Sequence, residues 1–209
     1  MKFVSLISSG IDSPVATYLL SKKTDEIILV HADNRPFTDD REIEKFISIS
    51  KHIKKQSSSK ISCLLIAHGP SLESYINNCQ NRFTCVFCKR MLLRYAEKIA
   101  KINNAKAIIM GDSLGQVASQ TLKNIRTIEQ DINMPILRPL IGLDKEDVIK
   151  IAKKIGTFDL SIEKSDGCSA VPIKPSTQAK LDQILFEEEK ININKLVNDA
   201  VDNATSISL

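Results

Sequence analysis

The chain is 209 residues long, with 43% hydrophobic and 26% charged side chains. That is enough for one domain with its own core and too little for two large ones. The formal net charge of +4, from 29 basic and 25 acidic residues, permits contact with nucleic acid but lacks the strong basic bias of a dedicated nucleic-acid-binding domain.

Apolar runs alternate with amphipathic stretches, the pattern of a doubly wound parallel sheet in an α/β domain. Residues 2–8 read as the first strand and 14–23 as the helix after it. Residues 26–32 give a second strand, followed by a helix over about 39–55 that turns Ile43, Phe46, Ile47 and Ile49 inward. A polar connector over 56–60 leads to a third strand at 61–67. The next helix covers roughly 88–103, with Leu92, Leu93, Ala96, Ile99 and Ala100 as its apolar stripe. Residues 106–111 form a fourth strand, 114–131 one long helix or two short ones, and 135–137 a short strand. Asp144 suits the N-cap of a helix running through Ile155, and Gly156 suits its C′ position. One or two helices are expected over 176–204. The expected organisation is one domain over 1–175 with residues 176–209 as a helical extension packed on it.

No apolar run, Glu26-Ile-Ile-Leu-Val-His31 included, is long enough to cross a bilayer. Met1-Lys2-Phe3-Val4 enters a strand directly, without a cleavage site. A cytoplasmic location and no membrane partner are expected. In a reducing compartment, five cysteines argue against a disulfide framework and point to packing, metal binding or catalysis.

The first strand ends in Ser8-Ser9-Gly10-Ile11-Asp12-Ser13, with Pro14 opening a helix. A strand, a small-residue loop and a helix N-terminus make an anion site, because free backbone N–H groups converge there. The plainer reading is a capped βα turn, since Ser and Asp are favoured N-cap residues. Further along, Cys85-Val-Phe-Cys88-Lys89-Arg90 opens a helix. Two thiols so spaced can share a metal, and adjacent cations favour thiolates or bind phosphate; they can equally be small buried hydrophobes. Then follow Gly111-Asp-Ser-Leu-Gly-Gln-Val-Ala-Ser-Gln120, Leu137-Arg-Pro-Leu-Ile-Gly142 and Ile155-Gly-Thr157.

The loop Ser-Ser-Gly-Ile-Asp-Ser resembles the Ser-Gly-Gly-x-Asp-Ser loop of the PP-loop ATP pyrophosphatases, with Ser9 in place of the first glycine. Taken in order, the segments up to about Pro172 resemble the catalytic domain of the ThiI family of tRNA sulfurtransferases, which make 4-thiouridine. The resemblance implies an adenine nucleotide alpha hydrolase-like fold and an ATP site formed by Leu6, Ile7, Ser8, Ser9, Gly10, Asp12, Ser13, His31, Ala32, Lys89, Gly111 and Gln120. His31 could instead be a core or capping histidine. Asp12 is implied as the loop carboxylate that orders Mg²⁺, and Gly111 as the opening through which the nucleotide meets the fourth strand. Cys168 matches the sulfur-handling position. With Cys85 and Cys88 it is implied to hold an iron–sulfur cluster, with zinc as the weaker alternative. Cys63 reads as core, and Cys79 is ambiguous.

The implied reaction is ATP-dependent adenylation of a tRNA uridine at O4, then sulfur transfer, with AMP and pyrophosphate released. The alternatives are a PP-loop enzyme thiolating or amidating another nucleoside or a thiamine-pathway sulfur carrier, and a non-catalytic adenylate-binding module. The sulfur donor would be sulfide or a cysteine desulfurase. Family enzymes carry a THUMP-containing module ahead of the loop, and some carry a rhodanese domain. With the loop at Ser8, the expectation is that tRNA is presented by a separate THUMP-containing protein or a homodimer surface. Lys51, Lys54, Lys55 and Lys60 read as a solvated helix end that can also touch phosphate.

Overall fold

Three apolar runs, Lys2–Leu6 (β1), Glu26–Asp33 (β2) and Lys60–Ala67 (β3), form the centre of a six-stranded sheet. The structure is a computed structural model describing residues 1–209. With Ala107–Ile109 (β4), Ile136–Leu137 (β5) and Thr205–Ile207 (β6), the strand order is β5-β4-β1-β2-β3-β6. All pairs are parallel except β3–β6. Leu6 pairs with Val30, and Ser5 with Ile109, so the carboxyl ends of β1, β2 and β4 lie side by side.

Side chains alternate across a strand, and here both faces are buried. Val4, Leu6, Ile28, Val30, Ile66 and Ile108 belong to one core, and Phe3, Ile7, Ile27, Leu29, Ile61, Cys63, Ala107 and Ile109 to the other. The second core is covered by Asp12–Ser21 (α1) and Arg41–Gln56 (α2). The first is covered by Gly69–Asn78 (α3), Thr84–Ile102 (α4) and Leu122–Glu129 (α5). Lys145–Lys154 (α6) and Phe158–Ile162 (α7) pack on the α1–α2 side; Leu181–Glu188 (α8) and Ile193–Asp202 (α9) pack on the α4 side. Arg90, 1% exposed, binds Glu188 with Nε and Nη2 at 3.0 Å each, and Arg94 joins the same carboxylate at 2.7 and 2.8 Å. That buried network fixes α8 against α4.

Several expected boundaries shift. The α4 helix begins at Thr84, not near 88, so both Cys85 and Cys88 lie in its first turns. The stretch 114–131 holds a 3-10 turn at Ala118–Gln120 followed by α5, because Thr121, extended at φ −74° and ψ 153°, caps α5 through its side chain. Asp144 is at the N-cap with an extended backbone, but its side chain makes no capping bond. Gly156 has φ +74°, and a Cβ there would sit 2.8 Å from His52 Nε2, so glycine is required for conformation and for space. Helices α3 and α7 and strand β6 were not expected. In α3, Gly69-Pro70 reads as a breaker, yet Pro in a first turn forfeits no hydrogen bond. Strand β6 is three residues long and half-exposed, leaving no periodic signal.

Candidate functional site

At the carboxyl ends of β1, β2 and β4 lies a cavity of about 340 Å³, where ligands of open parallel sheets bind. Its floor is Leu6, Ile7, Val30, His31 and Ala32; one wall is Ser8, Gly10, Asp12 and Ser13; Lys89, Met110, Gly111, Asp112 and Gln120 form the other. Of the sequence-expected nucleotide residues, only Ser9 is absent from the lining: it is 5% exposed, and its hydroxyl donates to Glu42.

The loop is built by local hydrogen bonds. Ile7 N donates to Val30 O at 3.0 Å, extending the sheet by one rung. Ser8 N then donates to Ser13 Oγ at 2.8 Å, folding the loop back over the helix start. The residue before α1, Ile11, offers no side-chain cap. The first-turn amides of a ten-residue helix are therefore left for a ligand, beside Gly10, where an anion is favoured. Ser8 Oγ accepts from Gly10 N at 3.3 Å, so a serine side chain holds the turn while Ile11 adds no cap to the helix itself.

Gly111 has a packing reason in the fold itself. A Cβ on it would come 2.6 Å from the Ser13 N and Cα atoms, so the close approach is between the end of β4 and the first turn of α1. The glycine sets the shape of the wall while also lining the cavity.

His31 is buried and stacks on Phe46, with ring centroids 4.4 Å apart and planes 8° apart. Its Nδ1 donates to Ile7 O at 2.8 Å, leaving Nε2 as an acceptor. Burial lowers its pKa, so the ring is neutral near pH 7. Asp112, 4% exposed, accepts from Lys89 Nζ at 2.5 Å, Arg138 Nε at 3.2 Å and Gln120 Nε2 at 3.4 Å. Burial pulls its carboxyl pKa up, but the two cations outweigh that and hold it below the usual carboxylate range. Asp12 is paired with Lys145 Nζ at 2.6 Å. Gln120 Oε1 and Asn34 Oδ1, both of residues lining the cavity, are buried without partners. Buried acceptors of this kind call for a donor.

Cys85, Cys88 and Cys168 come within mutual electrostatic reach, although 168 is far from the pair in sequence. Burial pushes the Cys88 thiol up to about 12, with the charges of Cys168 and Cys85 adding to it. Burial, then Cys168, raises Cys85; burial also raises Cys168, against backbone N–H groups of Ala170 and Val171. No group of three or more His, Cys, Asp or Glu side chains stands in the geometry of a single metal ion. Cys63 is buried in the core of the α1–α2 side. Cys79 donates its thiol to Glu187 O at 3.3 Å, away from the cavity lining. Lys51, Lys54, Lys55 and Lys60 are exposed, and Lys54 Nζ donates to Leu209 O at 2.9 Å.

Sequence reading missed Asn34, Thr38, Glu42 and Asp112 in the lining, and Arg138 and Lys145 as the partners of the lining carboxylates Asp112 and Asp12. Asp112 stood inside a quoted motif, next to Gly111, and its acidic side chain was the available signal. Glu42 and Lys145 sit in amphipathic helices among other charges and carry no local signal.

A parallel sheet whose first strand feeds a small-residue loop and an uncapped helix start, with a cavity at the strand ends, defines the adenine nucleotide alpha hydrolase-like fold of the PP-loop type. A family model described as thiamine biosynthesis protein (ThiI) matches residues 1–193, and the chain belongs to that family. It is 43% identical over 197 residues to a probable tRNA sulfurtransferase of Methanothermobacter thermautotrophicus, covering 94% of this chain and 51% of the relative. To the protein of the same description in Methanosarcina mazei it is 39% identical, covering 100% of this chain and 52% of the other. The chain thus spans about half the length of these curated relatives. Among solved structures, a 4-thiouridine synthetase–RNA complex with bound ATP matches with a TM-score of 0.93 at 30% identity, over 99% of this chain and 54% of that one. NMN synthetase from Francisella tularensis, at TM-score 0.58 and 16% identity over 96% of this chain and 83% of that one, shares the fold alone. No helix is long and apolar enough to cross a membrane.

Proposed function

We propose that this chain binds ATP in the cavity and adenylates O4 of a tRNA uridine, after which sulfur replaces AMP at C4 to give 4-thiouridine. The observation that carries the reading is the uncapped start of α1 beside Gly10 and Asp12, opening into a cavity with two orphaned buried acceptors. The amides suit the phosphates. Gln120 Oε1, Asn34 Oδ1 and His31 Nε2 are acceptors suited to the adenine amino group and ribose hydroxyls. The ATP-bound, RNA-bound neighbour supports the same assignment.

In the first step O4 attacks the α-phosphorus, the bond to the bridging oxygen breaks, and pyrophosphate leaves as N3 gives up its proton. AMP is a far better leaving group than oxide. A sulfur nucleophile then adds at C4, AMP departs with O4, and N3 is reprotonated. Lys89, Lys145 and the α1 amides supply fixed positive potential where charge builds up on the phosphates. Asp12, a partly exposed carboxylate at the loop, has the donor chemistry for Mg²⁺, which when bound neutralises phosphate charge. Cys85, Cys88 and Cys168 would be the residues to hold an iron–sulfur cluster, or less well zinc, once deprotonated, and a cluster would supply a site for exogenous sulfur there. Cys168 is the thiol at the sulfur-handling position.

The test is incubation with Mg·ATP, a tRNA transcript and sulfide, with and without a separate THUMP-containing protein, followed by analysis of nucleotides and nucleosides. AMP, pyrophosphate and 4-thiouridine are expected together. ADP and free phosphate as the products would sink the reading; AMP with a different modified nucleoside would retain the adenylation and change the acceptor.

A further inference from the structure

The segment carrying Cys168 is strapped onto the start of α2 and the loop before it. Lys45, 7% exposed, donates from Nζ to Glu163 O at 2.9 Å and to Ser165 Oγ at 3.2 Å. Ser169 N donates to Phe37 O at 2.8 Å. Between these straps, Glu42 accepts one hydroxyl on each carboxylate oxygen: Ser165 on Oε1 and Ser9 on Oε2. Ser9 belongs to the phosphate-binding loop, Ser165 to the Cys168 segment, and Glu42 itself lines the cavity. Ser161 Oγ, at the other end of the segment, reaches Gly10 O at 3.4 Å.

Position 9 is where this chain carries serine in place of the glycine of the PP-loop pattern. Glycine has no hydroxyl to give Glu42; serine completes the connection. Hydroxyls donated to a carboxylate are charge-assisted and directional, so movement of one partner is felt by the other. We propose that Ser9, Glu42 and Ser165 form a bridge by which the nucleotide loop holds the Cys168 segment in place, which makes Glu42 and Ser165 positioning residues for sulfur transfer. The proposal rests on the ATP reading above.

Its consequence is chemical. An adenylated uridine whose sulfur partner is displaced is open to water at C4: the water oxygen replaces AMP, uridine is regenerated, and one ATP is consumed without product. Misplacement by about 1 Å can cost on the order of 100-fold in a positioned reaction. The bridge therefore governs the ratio of AMP to thiouridine, and leaves ATP capture to the α1 amides and Lys89.

Two measurements on the full chain test this. With Mg·ATP, tRNA transcript and sulfide, the wild type should give AMP and 4-thiouridine near parity. Ser165→Ala should raise that ratio by about threefold or more with the KM for ATP within roughly twofold, and Ser165→Thr, which keeps the hydroxyl, should restore it. An unchanged ratio in Ser165→Ala, beside an active wild type, overturns the bridge. Independently, hydrogen exchange with Mg·ATP and no RNA should slow at residues 8–13 and at 165–169 in the wild type, and at 8–13 alone in Ser165→Ala. Protection confined to 8–13 in the wild type overturns the bridge while sparing the ATP site; no protection at 8–13 overturns both.

Discussion

Lys145 Nζ lies 2.6 Å from Asp12 Oδ1, joining the first turn of α6 to the first turn of α1 beside the cavity that Asp12 lines. The two side chains are 43% and 24% exposed, so the pair contributes little to stability, under about 1 kcal/mol once solvent screening is counted. Under the proposed function the pair would place a carboxylate for a metal and an ammonium for phosphate at the start of α1.

The first prediction follows from that pair. Asp12→Asn should lower AMP formation by roughly 100-fold, and Lys145→Ala should raise the KM for ATP by about tenfold. Both should unfold within a few degrees of the wild type. A large loss of thermal stability in either variant would show that the pair is structural.

Asp112 is the opposite case, since its carboxylate is buried between two cations. Asp112→Asn leaves Lys89 without its carboxylate partner and Arg138 with Glu129 alone, and should cost about 1–3 kcal/mol, seen in urea unfolding. The sign of the pH effect follows from the pKa of its carboxyl, which folding holds below its usual 3.8. The stabilisation is fully present above that value and is lost as pH falls through the lower folded pKa. Acid unfolding of the wild type should therefore include a component below about pH 4 that is missing in Asp112→Asn.

His68 titrates in a separate window. It is fully buried against Tyr95, its Nε2 has no partner, and burial lowers its pKa from 6.5 to about 4. The folded state resists protonation that the unfolded state accepts, so stability falls as pH drops from about 6.5 to about 4, by up to about 3 kcal/mol. His68→Gln should flatten stability between those values, measured by denaturant unfolding at several pH values. An unchanged slope would mean that the ring is protonated without cost.

For the thiols, anaerobic reconstitution with iron and sulfide should give a brown protein. Replacement of Cys85, Cys88 or Cys168 by alanine should each abolish the colour, since three ligands cannot spare one. Cys79→Ala should keep it, because that thiol is engaged with Glu187 O. Stoichiometric zinc without iron under the same conditions would replace the cluster by a structural metal.

The central sheet, the small-residue loop from Ser8 to Ser13 and the cysteine pair could all be read in the sequence, because each is written in neighbouring residues. A strand buried on both faces is a continuous apolar run, and an anion-binding turn is small residues between a strand and a helix. Gly156 announced a left-handed position in the same way. Helix α3 carries no such local mark, since Gly69-Pro70 suits an end as well as a beginning and the packing of Leu72 and Tyr75 into the core decides for a helix.

By itself, then, the sequence determined the first five strands and the longer helices between them, and the loop from Ser8 to Ser13. Tertiary structure alone decided which charges face one another: Lys145 on Asp12, Lys89 and Arg138 on Asp112, and Ser9 and Ser165 on Glu42. It also decided that residues 205–207 close the sheet edge beside β3. The physical reason is the same throughout. Burial imposes a local period that one chain segment can record, whereas ion pairs and edge pairing depend on side chains and backbone from distant segments. Their geometry exists only once the sheet has brought its strand ends together.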